Sequence, residues 1–176
     1  MLLFTFMSIV YFPNEVLTQP CEEVSEFDDT LGRLVDEMSI EMYASRGVGL
    51  AAPQLGISKR VFVMDVTSGE KNDALRVFVN PRITWLSKEL VILREGCLSM
   101  PGTMVSLERP ECIEIEFQDV EGTKHTADFA GWESRIAQHE TDHLDGISMF
   151  DRADKKMRKL LTCLYRPKKK YNRRKT

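Results

Sequence analysis

No run of apolar residues in this sequence is long enough to cross a bilayer. The best candidate, MLLFTFMSIVYF at residues 1–12, also lacks the cationic start and the small-residue cleavage site of an export signal. We therefore expect no membrane partner. Ile9, Val10 and Tyr11 are expected to begin the fold, and the six residues before Met7 to be an upstream start or a loose extension. Cysteine is sparse: Cys21, Cys97, Cys112 and Cys163 lie far apart. That spacing excludes a small disulfide-stapled scaffold and favours a reducing compartment. Histidine is scarcer still, with three in 176 residues. Internal repeats are missing, and so are low-complexity tracts in the first 150 residues, which excludes a solenoid and a largely disordered chain.

With 43% apolar residues, the 176-residue chain can bury one good core but not two. We expect a single domain over residues 1–176, its core at about 9–154 and a basic C-terminal tail at 155–176. The tail holds eleven Lys or Arg and no acid, leaving 13 basic against 27 acidic residues, a balance of −14, in the rest. A basic tail on an acidic body suits a polyanionic partner, since each neutralised phosphate releases counterions. A solvated, partly helical terminus that maintains solubility fits the same composition.

Leu31, Leu34, Val35, Met38 and Met42 fall three, four or seven apart, which predicts a helix over 29–46, capped by Asp29 or Thr30 and stopped by Gly47. Extended stretches are expected at 60–66, 76–80, 91–93 and 112–117. In the last, Ile113, Ile115 and Phe117 alternate with Glu114 and Glu116. Glu121-Gly122 reads as a hairpin turn into a return strand at 124–127. A second helix is expected over 131–145, with Gly146 as its stop. The order of elements predicts an α+β fold, with mainly antiparallel β-sheets packed around a central helix, an N-terminal helix and the basic tail.

That central helix carries His139-Glu140-Thr141-Asp142-His143, an HExxH. Residues four apart share a helical face, so both imidazoles can converge on one cation. Trp132 and Ile136 continue the face, which is therefore expected to be buried. A hydrolytic site of this kind needs a third protein ligand. Downstream of His143 there is no His and no Glu, only Asp145, Asp151 and Asp154 close to the helix end. Upstream, Glu95-Gly96-Cys97-Leu98-Ser99 offers a thiol in a turn after a strand, and a thiolate is a ready ligand for a divalent cation. The three other cysteines read as structural. Gly47-Val48-Gly49-Leu50-Ala51-Ala52-Pro53-Gln54 supplies small residues for close backbone approach, ending in an amide that can donate a hydrogen bond. It does not match a dinucleotide fingerprint.

Together GVGLAAPQ, EGCLS and QHETDHLDG, in that order, resemble the three signature motifs of the peptide deformylases, over about residues 9–155. The segment AGWESRIAQHETDHLDG looks more like the actinobacterial and organellar branch than the enterobacterial one. The resemblance implies that Cys97, His139 and His143 hold a metal, Fe²⁺ by family habit with Zn²⁺, Ni²⁺ or Co²⁺ able to replace it, and that water takes the fourth position. It makes Glu140 the general base and then acid, Gln54 and the Leu98 N–H the oxyanion donors, and Val48 and Gly49 part of the substrate cleft. Trp132 and Ile136 would help form the methionine pocket. Ligand chemistry alone points to Zn²⁺. The substrates implied are N-formyl-methionyl nascent peptides, and the tail would dock on the ribosome. The compartment implied is the cytoplasm, or an organellar matrix in a eukaryote. Arg135 and Glu133 stand where the enterobacterial branch has apolar residues, and Thr103 with Met104 where it has a substrate-facing arginine; these differences bear on side-chain selectivity. Two rival readings remain: an HExxH endopeptidase, which the missing downstream ligand disfavours, and a non-catalytic homologue that binds metal or formyl peptides.

Overall fold

The structure, a computed structural model, describes residues 8–70 and 74–165. The segment before Met7 and the tail beyond Tyr165 therefore lie outside the described residues. Helix α1 spans Asp29–Ala44 and buries Leu31, Val35, Met38 and Met42, as their spacing requires. Its cap is Asp28, one residue before the predicted pair, because the Asp28 carboxylate accepts from the backbone N–H of Thr30 and Leu31. The predicted stop is displaced too. Arg46 takes the left-handed conformation, and Gly47 N–H then donates to the Met42 carbonyl. Gly47 is small for a different reason: a Cβ there would stand 2.9 Å from Leu98 Cδ1.

Strands β1 (Gly49–Ala51), β2 (Val61–Met64) and β3 (Arg76–Leu86) follow. Next come β4 (Leu90–Gly96) and β5 (Met104–Pro110), then β6 (Cys112–Gln118) and β7 (Lys124–Ala130). These strands pair antiparallel throughout: one sheet runs β1-β2-β3-β6-β7, and β4 pairs with β5. The predicted strand at 76–80 runs six residues further, past Pro81, because the pairing of β3 with β6 shifts register around that proline. Strand β5 has no counterpart in the sequence reading. Its inward positions are Val105, Leu107 and Arg109, and the buried arginine breaks the apolar alternation. The β6–β7 hairpin turns through Gly122 at φ 84°, as predicted.

Every residue of β2 is buried. Val61 and Val63 join the cluster around Leu31, Met38 and Met42, whereas Phe62 and Met64 join Ile136, Ala137 and Leu144. The main sheet is thus sandwiched between α1 and helix α2 (Gly131–Leu144). Phe62 stacks on Phe78 with ring centroids 4.4 Å apart, filling the α2 side. As predicted, α2 stops at Gly146. Its φ is 71°, and a Cβ would lie 2.7 Å from the Gln19 backbone.

The first described residues are part of this core, as expected: Ile9 packs with the α1 cluster and Val10 N–H donates to the Gln54 carbonyl. After the short α3 (Met149–Arg152), the basic segment forms α4 (Lys155–Leu164). Leu161 and Tyr165 pack against Phe12 and Phe150, while Met157, Leu160 and Leu164 are exposed. Among the described residues no helix is long and apolar enough to cross a membrane.

Candidate active site

Three elements meet at one cleft of about 510 Å³. Helix α2 supplies His139, Glu140 and His143 from one face. The turn after β4 supplies Cys97 and Leu98. The turn after β1, residues Ala52–Leu55, supplies Gln54. Cys97 Sγ lies 3.2 Å from His143 Nε2, and the ligand atoms of Cys97, His139 and His143 all fall within 4.8 Å of one another. The sequence therefore proposed the right neighbours, including the upstream cysteine.

The electrostatics of the cluster follow from burial among charges. Burial opposes the Cys97 thiolate, but the charge of His143 and hydrogen bonding with His139 and His143 bring the thiol down to about 5. Burial also opposes charging of His139, yet hydrogen bonds to Cys97 and Glu95 raise its pKa well above the ordinary value. The three ligand atoms converge within 4.8 Å of one another, and Glu95 backs His139 from behind. That donor set, one thiolate and two imidazoles, fits a divalent cation. Burial pushes the Glu140 carboxyl up to about 7, and its Oε2 is buried with no hydrogen-bond partner among the described residues.

Gln54 is held by its own turn. Its Oε1 accepts from Ala51 N–H at 2.8 Å, which leaves the amide nitrogen to face Ser99 Oγ at 3.3 Å and Cys97 Sγ at 3.6 Å. The Leu98 N–H has no acceptor among the described residues. Gly49 brings β1 against the working face of α2: a Cβ there would collide with the Glu140 carboxylate and stand 2.9 Å from Ile136 Cγ2. Val48, Ile136 and Trp132 border the cleft as expected, but the predicted burial of their helix face is only half right. Ile136 is buried, whereas Trp132 is 47% exposed because the first turn of α2 stands at the cleft opening.

What the sequence reading missed is the support beneath His139. Glu95, 3% exposed, accepts from Arg109 Nε at 2.6 Å and Nη2 at 2.9 Å, from Arg135 Nη1 at 2.9 Å and from His139 Nδ1 at 2.9 Å. Burial alone would raise the Glu95 carboxyl, but the bonds with His139 and Arg109 hold it well below the usual carboxylate range. An ionised carboxylate only accepts, so His139 donates through Nδ1 and turns Nε2 toward Cys97. Arg109 Nη1 continues the network to Asp142 at 2.7 Å, and Asp142 also pairs with Arg152. Arg135, read from the sequence as bearing on selectivity, has its guanidinium committed to Glu95 and to the Leu107 and Val91 carbonyls. Glu133 pairs with Arg76 near the surface, while Thr103 and Met104 do line the cleft. The four cysteines are all unbridged, and Cys21 is buried in the core.

Residues 6–159 match the sequence profile of the family described as polypeptide deformylase. The peptide deformylase of Synechocystis is 38% identical over 148 residues, covering 84% of this chain and 79% of that protein. The peptide deformylase of Thermodesulfovibrio yellowstonii is 39% identical over 163 residues, 93% and 98% of the two chains. A crystal structure of peptide deformylase from Plasmodium falciparum superposes with a TM-score of 0.84 at 41% identity, covering 89% of this chain and 91% of that one.

Proposed function

The chain belongs to the polypeptide deformylase family, metal-dependent hydrolases that remove the formyl group from nascent polypeptides, and from that premise we propose how its own residues carry out the reaction. The observation that carries the reading is the cluster of half-buried Cys97 and His139 with buried His143, beside the unpartnered Oε2 of Glu140. Those three residues would hold one divalent cation, Fe²⁺ by resemblance to the family, with Zn²⁺, Ni²⁺ or Co²⁺ compatible with the same donors. When bound, the cation supplies a positive charge that acidifies water and polarises the formyl oxygen.

Glu140 takes the proton from water as its oxygen attacks the formyl carbon. A carboxyl held near 7 by burial can accept that proton and then return it to the leaving amine, so formate departs and the methionine amine is freed. The Gln54 amide and the Leu98 N–H donate to the oxygen that gains negative charge in the tetrahedral state. Their fitness rests on orientation: one is locked by the Ala51 N–H, and the other has no competing acceptor among the described residues. Val48, Gly49, Ile136 and Trp132 would receive the methionine side chain. With the Arg135 guanidinium committed to Glu95, that pocket keeps its apolar character.

We read residues 9–154 as one domain and α2 as its central helix, since ten of its fourteen residues are buried. The cytoplasm, or an organellar matrix, is the compartment where formylated chains are made. Product analysis separates this reading from an endopeptidase. Formyl-Met-Ala-Ser should yield formate and intact Met-Ala-Ser, and acetyl-Met-Ala-Ser should stay whole; cleavage of an internal bond in either peptide would overturn it.

The basic tail would hold the enzyme near ribosomal RNA. In the described part, Lys155, Lys156 and Lys159 are exposed on α4. Truncating at 155 would strip Leu161 and Tyr165 from Phe12 and Phe150, so charge removal is the better test. The triple Lys→Gln change at these positions should lower ribosome co-sedimentation at low salt several-fold. Unchanged co-sedimentation would end the docking idea for this helix.

A further inference from the structure

The cleft carries two cations that the deformylation chemistry does not use. Arg46 and Arg94 both line it and both are exposed. Among the described residues, neither makes an ion pair or a side-chain hydrogen bond. The other charges in the cleft are accounted for: Arg135 and His139 are bound to Glu95, and Glu140 lies at the floor. The body of the protein is otherwise strongly acidic, with 13 basic against 27 acidic residues outside the tail. Two unneutralised guanidinium groups at the opening of the catalytic cleft therefore make a local positive field of the kind that draws in and orients anions.

Their backbone settings place them at the entrance and not at the floor. Arg46 occupies the left-handed position that ends α1, just before the Gly47–Gly49 segment. Arg94 precedes Glu95 on β4, with alternation turning its neighbour into the core. A formyl group at Cys97 and Glu140 leaves the chain to run outward. An extended peptide advances about 3.3 Å per residue, so the second and third residues emerge at the opening. Guanidinium pairs best with carboxylate.

We propose that Arg46 and Arg94 are specificity residues that favour formyl peptides bearing a carboxylate at the second or third residue. The proposal rests on the deformylase reading above. The test compares kcat/KM for formyl-Met-Ala-Glu and formyl-Met-Ala-Lys, each as the C-terminal amide, and for formyl-Met-Ala-Gln as amide and as free acid. The amides isolate a side-chain carboxylate, and the last pair isolates the chain-terminal one. We expect a Glu over Lys preference of about three- to tenfold at low salt, the size set by two exposed ion pairs. Molar salt should compress it, and the R46Q/R94Q double variant should bring it close to one. Because the ratio is taken within one preparation, it does not depend on how much of the variant is active. Equal rates on all the amides, or a preference unchanged in the double variant, would overturn the selectivity while leaving the deformylase reading intact. No formate from any peptide would overturn both.

Discussion

Glu140→Ala should lower formate release by about a thousandfold or more while the protein keeps a full equivalent of metal. The carboxylate is beside the Cys97, His139 and His143 cluster but is not needed to complete it, since those three supply the thiolate and imidazole donors. Its removal leaves no other carboxylate in the cleft free to move the proton among the described residues: Glu95 is fully engaged by Arg109, Arg135 and His139. The same geometry makes Glu140→Gln nearly as inactive, because an amide keeps the shape and cannot accept and return a proton. Metal analysis beside single-turnover formate measurement checks both halves. A variant within tenfold of the parent would remove Glu140 from the chemistry, and a variant without metal would make it a ligand.

Glu95→Ala should be the most destabilising single change near the site, by about 3–5 kcal/mol in urea unfolding. The carboxylate sits at the junction of Arg109, Arg135 and His139, each side chain within 2.9 Å. Its loss leaves buried cations with fewer acceptors. Arg109 keeps Asp142 and Arg135 keeps two carbonyls, which limits the damage short of unfolding. Metal affinity should fall about 10–100-fold as well, because the Nδ1 bond no longer fixes the His139 ring. Glu95→Gln should recover part of the stability by shape alone. A variant as stable as the parent would mean that the network is decoration around a site held by other contacts.

The two sites of largest effect differ in how visible they were in the sequence. Glu140 announced itself, since an HExxH carries its geometry in its spacing: a 3.6-residue turn brings residues four apart together in any helix. Cys97 and Gln54 stood out as a candidate thiolate ligand and a candidate amide donor, but their roles emerged only when three short motifs were read in order. The Glu95 network stayed hidden because nothing local marks it. Glu95, Arg109 and Arg135 come from three different elements and meet only after β4 pairs with β5 and α2 packs beside them. The same arginine concealed β5, whose alternation is apolar except where Arg109 points inward. Helix positions were read well, but their ends shifted by one or two residues, as at Asp28, where the side chain that reaches the free N–H groups is the true cap. Trp132 shows the limit of reading a face from periodicity. It shares the side of α2 with Ile136 and His139, and half of it lies open because a substrate cleft interrupts the packing.

Metal dependence through Cys97, His139 and His143 is tested most directly by an anaerobic titration of chelator-stripped protein with Fe²⁺, following formate release from formyl-Met-Ala-Ser at each addition. We expect no formate without metal, a linear rise that breaks at one equivalent per chain, and no recovery in the Cys97→Ala variant at the same additions. Formate from the stripped protein, or full activity in Cys97→Ala at one equivalent, would contradict it.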